Sequence, residues 1–285
     1  MVDFARIEGS YGDPLTDALI TTETALNTPN EQRSEVSGQT SFKWGDAEQE
    51  KLTLTYSFVG RGSSFPADYP TGYTSEIVPL PQVVRNAYEA AFEAWSDVTS
   101  VQFQRTSDQD APGDIRIAAT SDHPNFADGE AGAEAGLPGV GTSGDIWHSA
   151  ASLDAWDYTI GASGYTTAIH EVGHSVFGLA DVSVANGING ENLPPEMNYR
   201  TKTVMSYEDL PGHIVGQDPE GTRGNAEHHP TTPMVLDVHA AQAVYGPNPQ
   251  HKTGDSVYTF SGSKPYHETI WDAGGTDRIT ATGTN

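Results

Sequence analysis

The chain has 285 residues and a formal net charge of −25, from 39 acidic and 14 basic residues, and it contains no cysteine. So acidic a surface repels nucleic acid phosphate, which argues against a nucleic-acid partner, and it fits either solubility, including at high salt, or carboxylates that bind cations such as calcium. The lack of cysteine excludes disulfides, thiolate zinc sites and a cysteine that blocks a metal site in a proform. No stretch approaches the roughly 20 apolar residues of a membrane span, so we expect no membrane insertion.

The first half of the chain predicts two helices and three strands. "DPLTDALI" (13–20) is a candidate for a short helix, and "KLTLTYSF" (51–58) alternates and is rich in Thr and aromatic residues, which indicates a strand. Two more strands are predicted at 101–106 and 114–120. Between them and the first strand, apolar residues at spacings of three and four predict an amphipathic helix from Pro81 to Ser96: Val84, Tyr88, Ala91, Phe92 and Trp95.

The second half predicts short strands, two helices and a β-rich tail. "AEAGLPGV" (133–140) and "GDIWHS" (144–149) are short strands, the first at a sheet edge, and a helix from 165 to 177 follows. About 50 residues dominated by loop formers precede a third long helix at 233–245, and the tail from 251 onward shows short strands joined by turns. This order predicts an α+β fold, in which helices cover a mixed twisted sheet and a short β appendage follows.

The stretch "TTAIHEVGHSVFGLADVS" (166–183) contains the pattern HExxH in His170, Glu171 and His174. One turn apart on a helix, the two imidazoles project to the same side, where they can hold Zn²⁺. Glu171 can then take a proton from water on the metal and pass it to a leaving amine. The pattern is short and also arises by chance in amphipathic helices, but the small Gly173 inside it and Gly178 after it favour the zinc site.

A third zinc ligand must come from beyond the helix. Gly178 can end the helix in a left-handed backbone conformation and turn the chain back beneath the metal, and Asp181, three residues later, is a competent oxygen ligand. Three loop histidines are alternative third ligands: His213, His228 and His229. If they do not bind the metal, we expect them to be ordinary surface side chains. His148 is expected near the cleft and not on the metal, and His239 is expected to be a packed or capping residue.

The segment "TVMSYED" (203–209) makes a family resemblance specific, because Met205-Ser206-Tyr207 lies about 31 residues after His174. With it, the chain resembles a metzincin metalloprotease and, within that clan, the serralysin family, whose methionine turn reads Met-Ser-Tyr. The resemblance implies that Met205 forms a hydrophobic base under the zinc. It also implies that Tyr207 ligates zinc or stabilises the oxyanion. It extends to "DPLTDALI", "YEAAFEAWSDVTSVQFQRT", "GDIWHS" and "LDVHAAQAVYGPN".

The same resemblance implies a domain organisation and exposes one departure. It predicts a metzincin-type protease domain over 1–248, with an upper part to about residue 181 and a lower part after it, and a β-rich calcium-binding tail over 249–285. Serralysins carry HExxHxxGxxH, whereas this chain has one extra residue before Gly178 and Asp181 in place of the third His. An Asp ligand would lower the net charge of the site and make zinc a weaker Lewis acid.

The tail contains short oxygen ligands separated by glycines, in "HKTGDSVYTF" (251–260) and "ETIWDAGGTDRI" (268–279). Hard oxygen clusters of this kind suit Ca²⁺, although two ordinary Gly-Asp hairpin turns would look the same. The resemblance implies one or more structural calcium ions, held by Lys252, Gly254, Ser256, Asp272, Gly274 and Asp277. The family's GGxGxDxxx repeats do not occur in this sequence, so the tail is expected to be the start of a truncated β-roll.

The leading functional hypothesis is a zinc endopeptidase for extracellular proteins, with the substrate antiparallel to the edge strand near 133–140. A catalytically impaired relative that binds protein or calcium is the alternative, motivated by the altered third-ligand region. A calcium-stabilised adhesion module is a third possibility, but it leaves HExxH unexplained. The N-terminal segment lacks the basic and apolar regions of a signal peptide, so secretion by type I export is expected from the resemblance. We expect a monomer that acts on protein or peptide substrates.

Overall fold

The computed structural model describes residues 4–8, 13–20, 40–46, 51–70, 72–126, 132–139, 142, 144–182, 193–210, 229–261 and 267–283. Within these ranges the chain forms a five-stranded sheet, two separate two-stranded sheets and five α-helices. The predicted α+β class is confirmed. No helix in the described ranges is both long and apolar enough to cross a membrane.

The five-stranded sheet is mixed and has the strand order β4-β3-β5-β7-β6. Its strands are β3 (Leu52–Phe58), β4 (Val101–Arg105), β5 (Ile115–Thr120), β6 (Ala133–Ala135) and β7 (Ile146–Ser149). The first three and β7 pair in parallel, whereas β6 runs antiparallel to β7 at one edge. Every residue of the central strand β5 is buried, as expected for a parallel strand covered on both faces.

Two long helices cross behind the sheet and build the core around the HExxH motif. They are α2 (Gln82–Val98) and α4 (Ser163–Phe177). The fully buried Trp95 of α2 donates its indole N–H to the carbonyl oxygen of Ile169 at 3.1 Å, and its ring stacks on Phe177 at 4.3 Å. Helix α4 is therefore held by a neighbour with which it shares both an apolar surface and a directional hydrogen bond.

Two further helices support the lower end of α4. They are α1 (Pro14–Leu19) and α5 (Val235–Tyr245). Asp13 caps α1 by accepting a hydrogen bond from the Thr16 N–H at 2.7 Å. Tyr245 at the end of α5 donates its hydroxyl to the Val176 carbonyl at 3.0 Å, which ties α5 to the last turn of α4.

Several elements differ from the sequence-based expectation. Strands β1 (Phe4–Glu8) and β2 (Thr40–Trp44) form an antiparallel pair that was not predicted. The two strands are far apart in the sequence, and both lie in a polar stretch with little periodicity. The six-residue helix α3 (Ala150–Ala155) was also missed, because it is too short to show a period. The edge strand was predicted at 133–140 but ends at Ala135. Pro138 lies in the rest of the predicted segment, and proline has no backbone N–H with which to continue the hydrogen bonds of a sheet.

The tail forms a parallel pair and not a hairpin. Strands β8 (Val257–Ser261) and β9 (Arg278–Thr282) pair in parallel, so they cannot be joined by a tight turn. The tail contacts the body of the protein, since the indole N–H of Trp271 donates to the Asn248 carbonyl at 3.0 Å. The predicted boundaries at residues 181 and 248 remain predictions.

Candidate active site

Helix α4 presents both histidines of HExxH and ends where the sequence predicted. Gly178 adopts φ 64° and ψ 25°, the left-handed conformation that glycine tolerates best. Its N–H bonds to the His174 carbonyl at 3.1 Å, and the next N–H, of Leu179, reaches back to the Gly173 carbonyl at 3.1 Å. This pair of bonds is the usual way in which a glycine closes a helix, and it sends the chain back toward the histidine face.

The returning chain brings Asp181 to the two histidines. The His170 and His174 Nε2 atoms lie 3.0 Å apart, and Asp181 Oδ1 lies 3.3 Å from the first and 3.4 Å from the second. The segment is fixed on both sides, because the Ala180 N–H donates to the Leu19 carbonyl and the Val182 N–H to the Met205 carbonyl. Three ligand atoms therefore converge on one point.

The geometry of this group fits a zinc ion. His170 Nδ1 lies 2.9 Å from the Val204 carbonyl oxygen and His174 Nδ1 lies 2.6 Å from that of Leu179, so both Nδ1 atoms must carry hydrogen and both Nε2 lone pairs face the shared point. Zinc–nitrogen bonds of 2.0–2.1 Å in a tetrahedron place the ligand atoms about 3.3 Å apart, close to the separations found here. In the part of the chain described, no other three His, Cys, Asp or Glu residues converge in this way.

The charges of the group also favour a bound cation. Burial alone would raise the pKa of Asp181, but the two facing imidazoles outweigh burial and hold it well below its usual range. For His174, burial lowers the pKa, and Asp181 more than reverses this effect. Asp181 thus remains ionised and brings a negative charge to the point that the three ligand atoms share.

Met205 and Tyr207, the two residues named from the resemblance, lie close to this group. Met205 is fully buried, and a Cβ added at Gly173 would lie 3.0 Å from its sulfur, which explains the glycine inside the motif. The Tyr207 hydroxyl donates to Asp181 Oδ1 at 3.1 Å and lies 3.4 Å from His170 Nε2. Burial and the nearby Asp181 raise the pKa of Tyr207, so its phenol remains a hydrogen-bond donor at neutral pH.

Asp237 on α5 holds the Met205 turn in place, and the sequence analysis missed it. This fully buried carboxylate accepts hydrogen bonds from the Thr203 hydroxyl at 2.5 Å and from the N–H groups of Val204 and Met234, each at 2.8 Å. Burial raises its pKa to about 6. An acidic residue in the first turn of a largely apolar helix was the available signal.

Glu171 lines a cleft of about 420 Å³ beside the proposed ligands. Burial raises its pKa to about 7, and its Oε2 atom has no hydrogen-bond partner among the described residues. The cleft extends from the edge strand at Ala133 to Tyr207, and it includes the early turns of α4. Glu171 is therefore a buried carboxylate that lines the cleft, a position from which it can accept a proton there.

Five other histidines were named in the sequence analysis, and the structure describes three of them. His148 is fully buried, with Nε2 2.6 Å from the Tyr88 hydroxyl, and burial lowers its pKa to about 3. His229 lines the cleft but lies outside the group of three. His239, expected to be packed or capping, is exposed, and its Nε2 lies 3.0 Å from Oδ2 of Asp13, the residue that caps α1. The two other alternative ligands, His213 and His228, lie outside the described residues.

The tail residues predicted for calcium come from two adjacent segments. The Ser256 N–H donates to Asp277 Oδ1 at 2.9 Å, and the Ser256 hydroxyl donates to the Gly254 carbonyl at 3.2 Å. Asp272 accepts from the Gly274 N–H at 3.0 Å. Lys252 has φ 50°, a left-handed conformation that is rare outside glycine.

Comparisons with known proteins agree with this geometry. Residues 70–210 match the matrixin peptidase family. Serralysin B of Dickeya chrysanthemi is 26% identical over 249 residues, which cover 81% of this chain and 49% of that protein. Serralysin of Photorhabdus sp. (strain Az29) is 28% identical over 85% of this chain and 51% of its own length, and serralysin of Proteus mirabilis is 30% identical over 68% and 43%.

The chain spans about half the length of the curated relatives it matches. The region of this chain that matches the matrixin family, residues 70–210, contains HExxH, Asp181 and the Met205 turn. The chain is a serralysin-like member of the metzincin metalloproteases.

Proposed function

We propose that the protein is a zinc-dependent endopeptidase that hydrolyses peptide bonds of extracellular proteins. The observation that carries this proposal is the convergence of His170, His174 and Asp181 beside Glu171 in an open cleft. These three side chains would hold the ion. When bound, zinc would acidify water and polarise the scissile carbonyl.

Glu171 would act as the general base. Its pKa near 7 lies close to neutral pH, where a base both accepts and returns a proton efficiently. The Glu171 carboxylate, which lines the cleft, would accept the proton of the attacking water and deliver it to the nitrogen of the departing amine. The buried position of Glu171 limits exchange of that proton with bulk water.

Tyr207 and the edge strand would position the substrate. The Tyr207 hydroxyl, now bonded to Asp181, would turn to donate to the oxyanion that forms at the scissile carbonyl. Strand β6 has a neighbour, β7, on one side, and Ala133 lines the cleft on the other. An extended polypeptide would pair with that edge through main-chain hydrogen bonds.

The test of this proposal combines metal analysis with a protease assay. We expect one zinc per chain and cleavage of casein that stops with a chelator and returns on addition of zinc. Zinc without any cleavage would instead favour a catalytically impaired relative. Secretion is proposed from the resemblance to serralysins alone, and detection of the native protein in culture supernatant would test it.

Replacing Tyr207 with phenylalanine tests the oxyanion role. The Tyr207→Phe variant should lose about 10- to 1000-fold in kcat with little change in KM, because one donor to the transition state is removed. Tyr199→Phe, outside the cleft lining, is the matched control and should leave kcat unchanged. An unchanged kcat in Tyr207→Phe would reduce this tyrosine to a packing residue.

We also propose that the tail binds structural calcium through Lys252, Gly254, Ser256, Asp272, Gly274 and Asp277. Two hydrogen bonds support the calcium proposal. The Ser256 N–H holds the Asp277 carboxylate next to residue 256, and the Ser256 hydroxyl holds the Gly254 carbonyl there, so oxygen atoms that could bind calcium come together from both segments. The Asp272 carboxylate now accepts from the Gly274 N–H at one oxygen and from the Tyr258 hydroxyl at the other, and the ion would replace at least one of these partners.

Thermal melting with and without calcium tests the calcium proposal. Calcium that binds only the folded state should raise Tm, and the Asp272→Ala and Asp277→Ala variants should each lose most of that rise. The exposed Glu268 supplies a control, because the Glu268→Ala variant should keep the rise in Tm with calcium. Equal Tm values for the wild-type protein with and without calcium would overturn the proposal.

A further inference from the structure

Arg200 places a positive charge in the cleft of a strongly acidic protein. It is the only Lys or Arg side chain among the described residues that line the cleft, whereas the chain as a whole carries a net charge of −25. Its side chain is 26% exposed, so it is partly enclosed by the cleft wall. A cation in this position counteracts the repulsion that the rest of the surface exerts on an acidic ligand.

The backbone fixes Arg200 near the reacting centre. Its N–H donates to the Glu208 carbonyl at 2.9 Å, and the Ser206 hydroxyl donates to the Asn198 side chain at 2.6 Å. The segments before and after the Met205 turn therefore run side by side. Arg200 and Tyr207, the proposed oxyanion donor, both line the cleft.

Among the residues that the structure describes, few use the hydrogen-bonding capacity of the Arg200 guanidinium. The Nη1 atom donates to Asp209 at 2.8 Å, and this is the single side-chain hydrogen bond that Arg200 makes within the described residues. Asp209 is 68% exposed, and an ion pair so open to water contributes little to stability. The edge formed by Nε and Nη2 can therefore bind a second carboxylate side-on.

We propose that Arg200 selects substrates with an aspartate or glutamate side chain close to the scissile bond. This inference rests on the proposed peptidase function and adds a substrate class to it. The acidic side chain would enter the part of the cleft between the early turns of α4 and the 198–207 segment. The cleft also has polar lining from Ser163, Thr166 and Thr167 of α4.

Peptides that differ by a single charge test the proposal. Internally quenched peptides of one sequence would carry Glu or Gln in turn at each of three positions on either side of the scissile bond. At one position, the wild-type protein should show a kcat/KM for Glu about 10- to 100-fold higher than for Gln, as expected for a charge-assisted hydrogen bond. The Arg200→Gln variant should lose this preference, and Arg200→Lys should keep part of it.

Asp209→Asn is the matched control, since it removes the exposed partner and leaves the guanidinium in place. It should retain the preference for Glu. An equal Glu-to-Gln ratio in the wild-type protein and Arg200→Gln would overturn the proposal. A uniform loss of kcat for all peptides in Arg200→Gln would also overturn it, because it would show that Arg200 supports the turn or the oxyanion and does not read the substrate.

A binding measurement separates this inference from the proposed function. Fluorescent versions of the same peptides would be titrated onto the Glu171→Ala protein loaded with zinc. Tighter binding of the Glu peptide, lost when Arg200→Gln is added, supports the inference even if no peptide is cleaved by the wild-type protein. Equal affinities for the Glu and Gln peptides at all positions would overturn it, whatever the cleavage assay shows.

Discussion

The Glu171→Ala variant is expected to bind zinc like the wild-type protein and to lose about 100- to 10,000-fold in kcat, the contribution of a positioned general base. The three proposed ligands are His170, His174 and Asp181, so removing the neighbouring carboxylate leaves the metal-binding group intact. The loss should fall on kcat more than on KM, because proton transfer takes place in the transition state. Zinc content by elemental analysis and hydrolysis of a quenched peptide would be measured on the same samples.

Two further variants make the Glu171 result specific. Glu171→Gln keeps the shape of the side chain and should be as inactive as Glu171→Ala, since an amide cannot take up the proton. Glu89→Gln removes a carboxylate from an exposed ion pair with Arg105 and should keep wild-type activity. Full activity in a purified Glu171→Ala sample would refute the general-base role while leaving the zinc site in place.

The Asp181→Ala variant is expected to lose zinc. Its carboxylate supplies one of three converging atoms, and two imidazoles with water hold the ion poorly. The affinity should therefore fall by more than the roughly 10- to 100-fold that loss of a hydrogen-bond partner behind a ligand costs. Zinc affinity would be measured by competition with a chromogenic chelator, and activity should fall with zinc occupancy.

Controls for Asp181→Ala come from the other candidate ligands and from a nearby carboxylate. His229→Ala should keep zinc, because His229 lines the cleft without joining the group of three. His213→Ala and His228→Ala should keep it too, and so should Asp209→Ala, which removes an exposed carboxylate from the same face. Full zinc affinity in Asp181→Ala, with loss of zinc in one of the histidine variants, would transfer the third-ligand role to that histidine.

The local parts of this protein follow from the sequence by itself. Helix α4, its end at Gly178 and strands β3, β4 and β5 were all predicted, because a repeat of 3.6 or 2 residues and a terminal glycine are properties of neighbouring residues. The family was also readable, since HExxH and Met205-Ser206-Tyr207 are short motifs with a characteristic separation. Asp181 was identified as a candidate ligand from its spacing after Gly178.

The tertiary structure decided which of these residues meet. Asp181 is placed by hydrogen bonds from its neighbours to Leu19 and Met205, and no local pattern reports such partners. Asp237 reaches the Met205 turn from α5, and Arg200 enters the cleft because its segment pairs with residue 208. The β1–β2 pair was missed for the same reason. Periodicity reports only which side of an element faces the core, whereas these positions depend on contacts between residues far apart in the chain.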